Sequence, residues 1–165
     1  KIDRSHTSNI YFLARYITAN NNTYTPSTKT FDQMKSSGSL KLIQPRKLLD
    51  SISEYYQSLQ WFSGVNNLQN EKLSDVHLAN SQLFDGYIFQ KMFEVASTDF
   101  SVKGNIKKPE GNPPLLSDNS TVINPVIMAY HYLYSVTEVN NTGTAVRCQN
   151  ASRLIDLLKK EYNQQ

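Results

Sequence analysis

Cys148 is the only cysteine in the chain, so no disulfide can form within it, and cysteine pairing does not indicate a compartment. The six glycines, at positions 38, 64, 86, 104, 111 and 143, are too dispersed to build a phosphate-cradling loop of the Walker or dinucleotide kind. No stretch approaches the ~20 apolar residues of a spanning helix. Neither charge sign dominates. The 17 basic and 14 acidic side chains leave +3, well short of the concentrated positive field of a nucleic-acid binder, and that partner class is set aside. The Gly-x-Ser-x-Gly elbow of serine hydrolases is absent. Paired metal ligands are missing too. His6, His77 and His131 stand far apart, and Asp75 and His77, two residues apart, point in different directions on a helix. No catalytic residue, metal or cofactor is assigned from the sequence.

The 165 residues (18.8 kDa, mean hydropathy −0.50) have the composition of one soluble globular domain. A chain of this length buries roughly 70% of its unfolded surface. Apolar residues recur mostly at spacings of three and four, which predicts helices. Ile2, His6, Ile10, Leu13 and Ile17 form one stripe of a first helix, with Tyr11, Phe12 and Tyr16 lying off it, so cover on more than one side is expected. Thr30 and Gln33 have capping-box spacing for a short second helix, and Gly38 suits its left-handed stop. Leu40, Leu42 and Ile43 then read as an apolar connector tucked under its neighbours. A third helix is expected from Pro45, with a seam at Leu48, Ile52, Tyr55, Leu59 and Phe62 and a weak point at Ser63-Gly64.

The pattern resumes over 65–95 as a long rod, whose polar middle from Asn66 to Gln82 is expected to face solvent or a partner. Breakers between Ser97 and Thr121 predict a long surface excursion, with Leu115 and Leu116 as an apolar pin. Asn119 to Thr121 suits the cap of a helix carrying Ile123, Ile127, Tyr130, Leu133 and Tyr134. Asn140-Asn141-Thr142-Gly143 reads as a turn before a last helix, in which Ala151, Leu154, Ile155, Leu158 and Tyr162 face inward and Cys148 is a small buried hydrophobe.

Aromatic side chains are the richest feature. Tyr55, Tyr56 and Trp61 on the third helix and Tyr130, His131 and Tyr134 on the penultimate one, with Arg147 as a further orienting group, could line a small-ligand pocket between helices. The competing reading is that these rings fill the core and leave their polar tips at its edge. Sequons at Asn21, Asn119, Asn140 and Asn150 matter only in a eukaryotic secretory context.

The run Thr30-Phe31-Asp32-Gln33-Met34-Lys35-Ser36-Ser37-Gly38-Ser39-Leu40-Lys41-Leu42-Ile43, followed by Leu49, Ile52 and Tyr55-Tyr56, resembles a family of uncharacterised bacterial proteins. These are largely from Gram-negative lineages, with one N-terminal membrane-spanning helix and a helical extracytoplasmic domain. Asn112-Pro113-Pro114-Leu115-Leu116 and the closing Leu154, Leu158, Glu161 and Tyr162 look like the later segments of the same family. The resemblance implies a domain on the periplasmic side of the inner membrane and carries no site residue with it. This sequence begins at Lys1 without a leader pattern and without the family's anchor, so membrane attachment is expected only through a segment upstream.

The expected architecture is all-α, an irregular up-and-down bundle of about five helices with one long loop over 97–121, residues 1–165 forming a single domain. The expected role is non-enzymatic: binding, scaffolding or interaction with an unidentified protein partner. The alternative is a small-ligand sensor.

Overall fold

The computed structural model describes residues 4–21, 25–93 and 106–162. The fold is an all-α helical bundle, with five α-helices among the described residues. Among the described residues there is no strand, only an isolated antiparallel bridge between Phe93 and Ile106. A 3₁₀ turn, Arg4–His6, leads into α1 (Thr7–Ala19). Then come α2 (Lys29–Ser36), a second 3₁₀ turn (Ser39–Leu42), α3 (Arg46–Leu83), α4 (Gly86–Lys91) and α5 (Ser120–Tyr162).

Several expected boundaries shift, each for a local reason. Thr28, not Thr30, stands at the start of α2, and its hydroxyl bonds the Asp32 carboxylate (2.8 Å) instead of a backbone N–H. Gly38 does stop α2, with φ +76°. Leu42 is not tucked in but 82% exposed. In a 3₁₀ turn side chains three apart share a side, so the half-buried Leu40 and Ile43 take the covered one and Leu42 is left out.

α3 passes straight through Ser63-Gly64 and runs 38 residues. One mid-helix glycine costs about 1 kcal/mol, and burial of the adjoining Phe62, Val65 and Asn66 outweighs it. No separate rod spans 65–95, because Asp85 turns extended after Leu83 and its carboxylate accepts from the Tyr87 N–H (2.8 Å), capping α4. The polar middle does not simply face solvent either, since Asn66, Gln69 and Asn80 are buried.

α5 runs 43 residues without the expected turn at 140–143. It starts where Asn119 Oδ1 accepts from the Thr121 N–H (3.0 Å). Its inward register over the last turns is Asn140, Gly143, Arg147, Ala151, Leu154 and Leu158. Cys148 and Ile155 each lie one residue, about 100°, past a residue of that line, and Tyr162 stands in the final turn; all three are exposed rather than inward.

The chain groups into two compact units. The first combines Lys1–Thr23 with Gln69–Ser135, and the second combines Tyr24–Leu68 with Val136–Gln165. In the first, Tyr11, Ala14, Leu83, Phe84, Met92 and Val126 form the core. Tyr11 is fully buried, with Phe84 and Phe89 edge-on to its ring at 5.0 and 5.7 Å. Its hydroxyl accepts from the Asp85 N–H (2.9 Å) and donates to Pro114 O (3.1 Å).

Residues 97–105 of the expected excursion lie outside the described residues. The rest, 106–119, is irregular but strapped to the core. The Ser8 hydroxyl donates to Pro109 O (2.6 Å), the Leu116 N–H to Leu83 O (2.9 Å) and the Lys107 N–H to Met92 O (2.8 Å). Leu115 packs on the core, whereas the Leu116 side chain is exposed, so only the first leucine of the expected pin inserts.

In the second unit the seam of α3 has Leu48, Leu59 and Phe62 buried and Ile52 and Tyr55 half-buried. Asn140 Nδ2 donates to Asn66 Oδ1 (2.9 Å) inside this unit. That bond, together with Gly143 and Arg147, explains why the asparagine-rich stretch remains helical.

Candidate functional site

The seven residues singled out from the sequence are divided between the units: Tyr55, Tyr56, Trp61 and Arg147 in the second, Tyr130, His131 and Tyr134 in the first. Tyr56 stacks on Phe31 at 4.2 Å with the rings nearly parallel, and Tyr55 meets Tyr56 edge-on at 5.4 Å. Trp61 is 62% exposed and touches Phe62 with its edge. Tyr55 also lines a cavity of about 260 Å³ with Glu54, Arg153 and Leu157. His131 and Tyr134 are exposed.

Arg147 is buried, and its bonds hold structure together. Its guanidinium donates to Thr144 Oγ1 (2.5 Å) and Gly143 O (3.2 Å) and lies 3.4 Å above the Phe62 ring centre. Phe62 fits there because Gly143 has no Cβ; one would overlap the ring. The cation–π contact and the glycine therefore form one packing unit.

Tyr130 sits at the wall of the most apolar cavity described. This groove, about 430 Å³, runs between α1 and α5 in the first unit and is lined by Ile10, Leu13, Ile17, Ile123, Ile127 and others. Leu13 and Ile127 are 55% and 58% exposed, as large aliphatic side chains on an open face. These residues belong to the apolar stripes read from the sequence. The core instead takes Tyr11, Ala14 and Val126, each one residue from a stripe position, so the stripes become the two walls of a groove.

The one polar group at that wall is already committed. The Tyr130 hydroxyl donates to Ala14 O (3.3 Å) and accepts from Asn80 Nδ2 (2.9 Å). Burial pushes its pKa up to about 12, offset in part by the Asn80 bond. The unfolded chain loses this proton from its ordinary value of 10.0, while the folded unit holds it to about 12. Stability from this group is therefore complete below pH 10 and lost as pH rises towards 12, by an amount of the order of 2 kcal/mol. Urea melts between pH 9 and 12 should show that decline, and Tyr130→Phe should flatten it; equal slopes in the two proteins would rule out Tyr130 as its source.

Among the described residues no group of three or more His, Cys, Asp or Glu side chains converges as a metal site. No described helix is long and apolar enough to cross a membrane. What the groove offers is hydrocarbon side chains and one hydroxyl already engaged on both sides. No family model, curated protein or solved structure matches the chain.

Proposed function

We propose that the chain is a non-enzymatic binding module that seats an apolar segment of a protein partner in the α1–α5 groove. The observation that carries this reading is the pair of aliphatic walls, exposed Leu13 with exposed Ile17 and half-buried Ile123 with exposed Ile127, each spaced four residues apart. Two such walls match the i, i+4 side chains of an amphipathic helix laid between them. At about 430 Å³ the groove is within the size range of small-ligand pockets, roughly 300–1,000 Å³. Such pockets carry convergent polar groups to orient a metabolite, however, and here the Tyr130 hydroxyl is engaged on both its sides. A partner's apolar side chains need no such group. The extracytoplasmic, membrane-anchored setting of this module rests on the resemblance of residues 30–43.

A photo-crosslinking amino acid placed at Ile127 in the native host should give one discrete protein adduct. Leu13→Glu should abolish that adduct, and the same probe at Tyr132, an exposed position on α5 that does not line the groove, should not give it. Identical adducts at the two positions, or none at Ile127, would count against the reading. A rise in melting temperature with small apolar metabolites in place of an adduct would favour the sensor alternative.

A further inference from the structure

We propose that a cavity between the end of α4 and the strapped segment of the first unit binds a phosphate monoester with an apolar body. The cavity, about 400 Å³, is lined by Ile88, Lys91 and Met92 on one side and by residues of the segment 107–113, Lys107 and Lys108 among them, on the other. It shares no lining residue with the α1–α5 groove and does not rest on the protein-docking reading.

Backbone pairing brings the lysines together. The Lys107 N–H donates to Met92 O (2.8 Å), and Phe93 and Ile106 form the antiparallel bridge beside that bond. Lys91 precedes Met92 and Lys108 follows Lys107, so the antiparallel course sets both on the same side of the bridge. Among the described residues neither Lys91 nor Lys108 forms an ion pair. The Lys91 ammonium rests 4.3 Å from the centre of the exposed Tyr87 ring, a weak contact that is readily exchanged for an anion. Gathered like charges repel, and a bound anion relieves the repulsion. Both side chains are exposed, and the flexible four-carbon stem of a lysine lets its ammonium follow a ligand.

The lining selects the class of anion. Lysine ammoniums act as point charges on phosphate oxygens, whereas the planar fork that suits a carboxylate belongs to arginine, and among the described residues no arginine lines this cavity. Its three lysines and Glu110 leave two positive charges, which match the charge of about −1.5 to −2 on a phosphate monoester at neutral pH. The volume falls within the roughly 300–1,000 Å³ of small-ligand sites, so there is room for more than an inorganic ion. Ile88, Met92, Pro109 and Pro113 line that room with hydrocarbon. The wall is fixed in advance. The Ser8 hydroxyl donates to Pro109 O (2.6 Å), and Gly111, at φ +66°, turns the chain between two prolines whose rings set φ.

The test is calorimetric titration of the intact chain with phenyl phosphate, inorganic phosphate and benzoate. It is paired with co-sedimentation on phosphatidylcholine vesicles with and without phosphatidic acid, whose headgroup is also a phosphate monoester. Phenyl phosphate should bind at least ~10-fold more tightly than inorganic phosphate, which lacks the body, and than benzoate, which carries a single charge. Its affinity should fall as salt is raised, because the lysines are exposed. Lys91→Gln combined with Lys108→Gln should weaken it ~10-fold or more while the thermal melt stays that of the parent, and Glu110→Gln should strengthen it. Lys159→Gln combined with Lys160→Gln, which removes the same charge from the end of α5, should leave it unchanged. Sedimentation with phosphatidic acid that the Lys91 and Lys108 substitutions abolish, in place of phenyl phosphate binding, would assign the monoester to a lipid headgroup. Absence of binding to phenyl phosphate and to both vesicles, or equal binding by the parent and the Lys91 and Lys108 double variant, overturns the proposal.

Discussion

Tyr11→Ala is expected to destabilise the first unit by about 4–5 kcal/mol, the upper part of the range for truncating a buried aromatic. Three losses combine at this position. The fully buried ring leaves a cavity against Phe84 and Phe89, the Asp85 N–H loses its acceptor, and Pro114 O loses its donor. Tyr11→Phe separates these contributions, because it keeps the ring and removes only the hydroxyl. It should cost about 2 kcal/mol through the two orphaned backbone groups. Because Pro114 belongs to the strapped segment 106–119, the Phe variant should also be cut faster by proteases within that segment at temperatures where the helices persist. Denaturant melts and limited proteolysis together read both effects. A Tyr11→Phe protein as stable as the parent would show that the hydroxyl bonds contribute nothing. Burial also holds the Tyr11 pKa above its ordinary value, so its contribution, like that of Tyr130, is present at neutral pH and lost in alkali.

Gly143→Ala is the second large effect, and its sign is opposite to the usual one. In the middle of a helix alanine is ordinarily better than glycine by about 1 kcal/mol. Here the added Cβ would overlap the Phe62 ring, which is held from another side by the Arg147 guanidinium. Overpacking of this kind costs about 1–3 kcal/mol and, for a chain of this size, lowers the melting temperature by about 2–4 °C per kcal/mol. Truncating the ring with Phe62→Leu should turn the alanine substitution from harmful to neutral or favourable. The double-mutant cycle should therefore give a coupling above 1 kcal/mol. Additive losses in the two single variants would mean that the ring and the glycine do not constrain each other.

Much of the helical content was legible from spacing alone. The seam from Leu48 to Phe62, the left-handed stop at Gly38 and the cap at Asn119 all follow from local chemistry that tertiary structure leaves in place. The errors are those of local rules overruled by burial. Asn140-Asn141-Thr142-Gly143 has the composition of a turn, but the Asn66–Asn140 bond and the space Phe62 takes beside Gly143 hold it as helix. The end of α3 was missed for the opposite reason. The Asp85-Gly86 pair is a turn signal, yet apolar spacing continues across it through Leu83, Ile88 and Met92.

The candidate sites were less legible than the fold. Periodicity identified the apolar faces of α1 and α5 correctly as faces, but it cannot say whether a face is covered, and a shift of one residue moved Tyr11 and Val126 into the core.

Trp61 is the chain's one indole and it belongs to the second unit, while Tyr11 and Tyr130, whose pKa values burial raises, belong to the first. Nature has thus placed a distinct optical reporter in each half. Indole emission follows the melting of one half; all ten tyrosines ionise in alkali, but ionisation delayed above the ordinary phenol value of 10.0 follows exposure of Tyr11 and Tyr130 in the other. Coincidence of the two curves measures cooperativity between the halves without any label being introduced.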